Sequence, residues 1–239
     1  MEWLERSEML IGIDNLAKLR SAHVLVAGLG GVGAYAAEML CRAGIGKLTI
    51  IDGDTVQRSN RNRQLPALCS NEGRRKTEVM AERLRDINPD VQLETISEFI
   101  RDERLIEIAG YPCDYMVDAI DTLSPKIFLL YHALKNNRRI VSSMGAGGKL
   151  DPLQIRVDDL SKTCNCRLAY VLRKRLRRLG VTTGIKAVFS TEQADKNLVM
   201  TCDEQNKKSV VGTISYLPAM FGCVCASVVI RELTGNTTK

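Results

Sequence analysis

The sequence predicts an α/β fold: a Rossmann-like, doubly wound and mostly parallel sheet, with antiparallel strands toward the C-terminal end. Three observations predict it. The apolar run His23-Val24-Leu25-Val26-Ala27 feeds a glycine-rich turn, Gly28-Leu29-Gly30-Gly31-Val32-Gly33, and a segment rich in Ala, Met and Leu follows. Short apolar runs then alternate with segments of helical spacing as far as Ser143. Two of those runs end in acids, at Asp52 and Asp121. Strand, glycine turn, helix, strand is the first half of a doubly wound sheet.

Each element has its own warrant. Residues 1–20 read as helical, with Trp3, Leu4, Met9, Leu10, Ile13, Leu16 and Leu19 as the apolar positions. Residues 34–43 favour a helix by composition. Lys47 to Asp52 is the second strand. Residues 74–87 carry Val79, Met80, Leu84 and Ile87 at helical spacing, and Asn88-Pro89 stops them. Val91 to Ile96 alternates like a strand. Residues 102–109 are helical, 115–121 a strand, 125–136 a helix and 139–143 a fifth strand. Beyond Gly145-Ala146-Gly147-Gly148, Leu153 to Val157 and Ala187 to Ser190 read as strands, 166–179 as a basic amphipathic helix, and 214–233 as an apolar closing helix. Residues 192–209 are polar and read as a loop. No linker divides the chain. Residues 1–239 are expected to form one domain, whose part from 151 to 239 holds the basic and the closing helix.

Composition sets the limits. The 239 residues include 34 Lys and Arg against 28 Asp and Glu, a net charge of +6. Hydrophobic residues are 45% and charged residues 26%, which excludes a disordered chain. No stretch reaches the ~18–20 apolar residues that span a bilayer. The longest, Leu217 to Ile230, holds Gly222 and Ser227 and reads as a buried helix, so no membrane partner is expected. The N-terminus has no basic region followed by an apolar core, so no secretory signal is read there and the expected compartment is cytoplasmic.

The glycine turn points to phosphate. A strand running into Gly-x-Gly-x-x-Gly brings backbone N–H groups to a helix N-terminus, where anions bind. Gly28, Gly30 and Gly33 fit the pattern, with Gly31 as an extra glycine. Asp52 lies where an acid holds a ribose hydroxyl. On this motif alone NAD, FAD and ATP all remain open. The segment that follows, Asp52-Gly53-Asp54-Thr55-Val56-Gln57-Arg58-Ser59-Asn60-Arg61-Asn62-Arg63-Gln64, is rich in cations, and Lys76 opens the next helix. Arg63 and Lys76 suit a triphosphate, whose several charges need fixed donors.

Taken together, the glycine turn, the Asp-x-Asp-x-Val-x-x-Ser-Asn-x-Asn-Arg-Gln segment, Lys76 and Asp118-Ala119-Ile120-Asp121 resemble the ThiF/MoeB/HesA adenylating enzymes, relatives of ubiquitin-activating enzymes. Within that superfamily the chain is most similar to the tRNA threonylcarbamoyladenosine dehydratases. Pro125-Lys126, Gly145 to Pro152 and Val188 to Glu192 carry that part of the likeness. The resemblance implies that Gly28, Gly30, Gly31, Gly33, Asp52, Asp54, Asn60 and Gln64 bind ATP. It implies that Arg63 and Lys76 face the triphosphate and that Asp121 holds Mg²⁺. Arg6 would reach the γ-phosphate of a neighbouring subunit, which implies a homodimer. The implied partners are tRNA, a second copy of the chain, and a sulfur-relay or cysteine-desulfurase-type protein.

The implied chemistry is ATP-dependent cyclisation. A carboxylate is a poor acyl donor, and adenylation gives it AMP as a leaving group. In the dehydratases the carboxylate is that of the threonyl group, and a nitrogen of its own carbamoyl group displaces AMP. Two anions meet in the first step, so cations must stabilise it.

The rival reading is adenylation of the C-terminal glycine of a ubiquitin-like sulfur carrier. Those members commonly hold zinc with two Cys-x-x-Cys pairs. Here the eight cysteines include Cys164-x-Cys166 and Cys223-x-Cys225 and no such pair. Cys41, Cys223 and Cys225 read as core, and Cys164, Cys166 and Cys202 lie in polar surroundings. An NAD-dependent oxidoreductase would have no use for Arg63, Lys76 and Asp121 together, and a scaffold would bind ATP without turnover. His23 and His132 read as structural. Finally, Arg167, Arg173, Lys174, Arg175, Arg177 and Arg178 fall on one helix with Leu168, Leu172, Leu176 and Leu179. One face docks and the other suits a tRNA phosphate backbone.

Overall fold

The structure is a computed structural model that describes residues 2–194, 199–204 and 207–236. Two short helices come first, α1 (Glu5–Ile11) and α2 (Ile13–Ser21). Gly12, at φ 82°, divides what the sequence presents as one helical stretch. Strands β1 (His23–Ala27), β2 (Lys47–Ile51), β3 (Gln92–Ile96), β4 (Tyr115–Asp118), β5 (Ile140–Ser143), β6 (Ile155–Asp159) and β7 (Lys186–Ser190) build the main sheet. Its order is β3-β2-β1-β4-β5-β7-β6, and only the β6–β7 pair is antiparallel. The expected α/β, mostly parallel fold is the one observed, with its antiparallel pairing at the C-terminal end.

Helices α3 (Gly33–Arg42), α4 (Lys76–Ile87), α5 (Asp102–Ala109), α6 (Leu123–Lys135), α7 (Arg167–Arg178) and α8 (Tyr216–Thr234) cover both faces. Alternate residues of a strand point to opposite faces. Val24 and Val26 of β1 therefore join a core with Leu40, Leu84 and Phe221, from α3, α4 and α8. Leu25 and Ala27 join a second core with Ile108, Leu129 and Leu176, from α5, α6 and α7. Strands buried on both faces read as continuous apolar runs, which is why β1, β2 and β4 stand out in the sequence.

Three boundaries differ from the sequence reading. The strand expected over 115–121 stops at Asp118, so Asp121 stands in the connection to α6. Helix α6 begins at Leu123, two residues before Pro125, because a proline in the first turn gives up an N–H that has no intrahelical partner there. The polar stretch 192–209 contains an antiparallel hairpin, β8 (Val199–Glu204) and β9 (Lys207–Val211), with Val199 opposite Val211 and Met200 opposite Val210. Its valines favour a strand although its charge suggested a loop. The Cys202 side chain and residues 195–198 and 205–206 lie outside the described residues.

Helix α8 has a mean hydropathy of 1.5, long and apolar enough by length and composition to cross a membrane. Its Leu217, Phe221, Cys225 and Val229 are instead buried in the core, where it packs on α3.

Candidate active site

The strand order reverses at β1, with β2 on one side and β4 on the other. Ligands bind beyond the C-terminal strand ends at such a switch point. A cavity of about 800 Å³ lies there, lined from the ends of β2, β1, β4 and β5 and from the chain following β3. Gly28, Gly30, Gly31, Asp52, Asp54, Arg63, Gln64, Lys76 and Asp121 all line it.

The glycine turn is shaped by contact and by conformation. Gly28 has φ +91°, a region L side chains rarely adopt. A Cβ on Gly33 would lie 1.7 Å from the carbonyl oxygen of Gly28. Gly33 therefore lets α3 start hard against the turn, and it does not itself line the cavity.

Asp52 braces that turn. Its carboxylate accepts the Leu29 N–H at 2.6 Å and the Asp54 N–H at 2.7 Å. Burial pushes its pKa above the usual carboxylate range, against the opposing charge of Lys76. Lys76 is buried at the first turn of α4, with Nζ 2.7 Å from Asp54 and 3.9 Å from Asp52. Arg63 donates through Nη1 to the Ser59 carbonyl and to Asn62 Oδ1. Asn60 is buried and does not line the cavity. Its Oδ1 accepts the Gln57 N–H, and its carbonyl accepts the N–H groups of Arg63 and Gln64. It shapes the turn that presents those two residues. Gln64 Oε1 is buried without a partner among the described residues, and Nε2 is the end that lies toward Gly30, so Gln64 presents an N–H to the glycine turn.

A second set of residues holds Asp121 in place. Asp118 and Lys126 are both fully buried and 2.7 Å apart. Ser142 donates to Asp118 at 2.6 Å, the Ile120 N–H reaches the same carboxylate, and Lys126 Nζ donates to the Ile120 carbonyl at 3.0 Å. The connection that presents Asp121 to the cavity is thus tied to β4, β5 and α6. The sequence reading quoted Asp118 and Lys126 without giving them a role. The local signal is a strand-end acid followed by a lysine inside an apolar helix.

Two further stretches meet across the fold. Lys149 Nζ is buried and donates to the Ser190 carbonyl at 2.7 Å, and burial lowers its pKa. The Glu192 carboxylate accepts the N–H groups of Leu150 and Asp151. They brace the loop after β5, whose Gly145 and Gly147 line the cavity.

Other expected residues lie elsewhere. Arg6 is exposed on α1, away from the cavity of its own chain. On α7, Ala169, Leu172 and Leu176 are buried, and Arg167, Lys174, Arg175, Arg177 and Arg178 are exposed without ion pairs among the described residues. Arg173 is different: its Nη1 donates to the Thr163 carbonyl, so it ties α7 to the preceding loop. His23 is buried between Thr49 and the Pro112 carbonyl. His132, read as structural, lines the cavity, as do Phe99 and Phe128. Burial pushes the thiols of Cys41 and Cys113 up to about 11 and that of Cys225 to about 12, out of the range of reactive cysteines. Among the described residues no group of His, Cys, Asp and Glu is arranged to hold a metal.

Comparison with known proteins agrees with this geometry. The ThiF family matches residues 4–239. A tRNA threonylcarbamoyladenosine dehydratase of Bacillus subtilis is 35% identical over 236 residues, covering 95% of this chain and 93% of that one. The crystal structure of the E. coli tRNA N6-threonylcarbamoyladenosine dehydratase TcdA in complex with ATP superposes with a TM-score of 0.90 at 36% identity, covering 98% of this chain and 95% of that one. The complex of the same E. coli protein with AMP gives 0.88, also at 36% identity, with 98% and 96% covered. The cavity at the strand ends gathers the glycine turn, Asp52, Arg63 and Lys76 in a chain so related, and the chain belongs to the ThiF family, within its group of tRNA threonylcarbamoyladenosine dehydratases.

Proposed function

We infer that this chain is an ATP-dependent tRNA threonylcarbamoyladenosine dehydratase. The observation that carries the reading is the convergence of the glycine turn, Asp52, Arg63, Gln64, Lys76 and Asp121 on one cavity, in a chain related over nearly its full length to such dehydratases. ATP lies with its ribose at Asp52 and its phosphates on the glycine turn. Lys76 then exchanges Asp54 for phosphate, and Arg63 and Gln64 donate to the same charge.

The threonyl carboxylate attacks the α-phosphorus, the bond to pyrophosphate breaks, and an acyl-adenylate forms. The carbamoyl nitrogen attacks the acyl carbon, loses its proton, and expels AMP, which keeps one carboxylate oxygen. The nucleoside loses one water in total. Cations fixed around the phosphates stabilise the charge gathered in the first step without reorganising during it. Mg²⁺ belongs to this reading: an exposed carboxylate at the cavity wall, that of Asp121, suits a hard divalent ion, which would screen the meeting of two anions.

The same reading assigns the outer surface. Met9, Leu10 and Ile13, 82%, 85% and 66% exposed, cluster on α1 and α2 near Arg6. An apolar patch of this kind marks an interface, and a second copy covering it would carry Arg6 toward the neighbouring γ-phosphate. The exposed cations of α7 take tRNA phosphates. A cysteine-desulfurase-type partner would meet Cys69 or Cys164, which are exposed. The working place is the cytoplasm, with the tRNA substrate.

The test is AMP release from ATP and Mg²⁺, with and without tRNA bearing the threonylcarbamoyl group, while mass spectrometry follows the nucleoside. AMP that depends on tRNA, with one water lost, is expected, and Asp121→Ala abolishes both. AMP that instead depends on a carrier protein ending in glycine would overturn the dehydratase reading.

A further inference from the structure

The cavity wall extends beyond the residues assigned to the nucleotide. The strand order puts β2 and β3 on one side of the glycine turn and β4 and β5 on the other. At ~4.8 Å per strand, the ends of β2 and β5 are about 14 Å apart. A nucleotide whose ribose is at Asp52 and whose phosphates are on the turn occupies the β2 side. On the β5 side the cavity continues between α6 and α7, walled by Phe128, His132, Met144, Gly145 and Leu168. Phe128 and His132 are four residues apart on α6 and lie on one helical face. Phe128 is 45% exposed, an aromatic ring open to the cavity. Leu168 is in the first turn of α7, beside the exposed Arg167.

We propose that this arm seats the substrate's modified base itself, with Phe128 stacked on the purine and His132 at its far edge, while α7 outside holds the flanking phosphates. The proposal rests on the dehydratase reading. Ring closure decides which part of the substrate meets this arm. Attack by the threonyl nitrogen would close a three-membered ring, so the nitrogen that displaces AMP is N6 of the purine, and the base lies directly beside the adenylated carboxyl group. Phe128 and His132 line the cavity next to that position, with His132 ~6 Å further along α6. Bases in single-stranded RNA loops are bound by stacking on aromatic side chains, and enzymes that act on a base take it out of its stack. The basic helix carries one exposed aromatic, Tyr170, which does not line the cavity, and the fold supplies the cavity's ring from the neighbouring helix.

The experiment compares steady-state kinetics of Phe128→Ala, Phe128→Trp and His132→Ala with the wild type, varying threonylcarbamoyl-tRNA and ATP separately. Calorimetric ATP binding serves as the check on folding. Stacking on one base is worth about 5- to 150-fold on truncation. Phe128→Ala is expected to raise KM for tRNA within that range and leave ATP affinity within about twofold, and Phe128→Trp to restore it. His132→Ala gives a smaller rise in the same KM. An unchanged tRNA KM in Phe128→Ala, or an equal loss in ATP affinity, would overturn the base seat and leave the dehydratase reading standing. Wild-type protein that binds ATP and yields no tRNA-dependent AMP would overturn that reading, and the base seat with it.

Discussion

Two lysine–aspartate pairs flank the cavity at the same distance and do different work. Lys126 and Asp118 are 2.7 Å apart, and neither has any exposed surface. Lys76 and Asp54 are also 2.7 Å apart, but the Asp54 side chain is 51% exposed. The first pair is closed: its remaining hydrogen-bonding capacity goes to Ser142, the Ile120 N–H and the Ile120 carbonyl. The second is open, because water or a phosphate can replace Asp54 at no burial cost to the acid. Separation therefore says little about an ion pair's purpose. Burial of both partners fixes the first pair in the fold, and at the cavity wall the exposed partner leaves Lys76 able to exchange it.

The sharpest way to break this distinction is to remove each lysine. Lys126→Met leaves the Asp118 carboxylate buried without its cation. Such losses cost about 3–5 kcal/mol, so urea unfolding is expected to show a clearly lowered midpoint. Activity falls as well, because the connection carrying Asp121 loses its anchor. Lys76→Met is expected to invert that balance. The midpoint moves less, since Asp54 is already hydrated and the buried Asp52, 3.9 Å away, keeps two backbone N–H donors, while kcat/KM falls about 10²–10³-fold, the usual cost of one preorganised donor to transition-state charge. Equal unfolding midpoints in the two variants would erase the distinction.

Titration sharpens it further. Asp52 starts above the ordinary carboxylate range because it is buried, and Lys76 holds it down. On the proposed reading the ionised Asp52 accepts from the ribose hydroxyls, so the acid limb of kcat/KM against pH is expected above the ordinary Asp value. Without Lys76 the raising influence of burial is less opposed, and the limb is expected to move to higher pH in Lys76→Met. A limb that stays in place, measured from the residual activity, would show that Lys76 does not act on Asp52.

The same contrast explains what could be read from the sequence. The side proposed for the nucleotide runs from Gly28 to Lys76, so its geometry is written in spacing: a glycine turn, an acid at the next strand end, a cation at the next helix start. The closed pair was harder to see. Asp118 and Lys126 acquire a function only when β4, β5 and α6 meet, and Ser142, which completes the network, comes from a different strand. The β5 side was hardest. Phe128, Met144 and Leu168 reach one cavity from separate segments of the chain, and an aromatic at helical spacing reads equally well as core. The hairpin of β8 and β9 is hidden for the opposite reason: residues 192–209 are polar, and two of its three valines, Val210 and Val211, lie just beyond them. Asn60 and Gly33, expected at the nucleotide, do not line the cavity and instead shape the backbone around it.

On α7 the fixed and the available charge sit on one helix, and the expected effects are smallest. Arg173 is bonded to the Thr163 carbonyl, while Arg177 and Arg178 are exposed. Each phosphate contact contributes about 0.7–0.9 to the slope of log affinity against log salt. Arg177→Ala with Arg178→Ala is therefore expected to flatten the salt dependence of tRNA binding by about 1.5 and to leave the unfolding midpoint unchanged. Arg173→Ala is expected to keep the wild-type slope and lower the midpoint slightly, because the Thr163 carbonyl loses its donor. The salt slope, unlike the affinity at one salt concentration, separates a lost phosphate contact from a helix that has shifted. If Arg173→Ala flattened the slope as much as the double variant, Arg173 would leave Thr163 for phosphate when tRNA binds, and the two kinds of charge on this helix would be one kind in the complex.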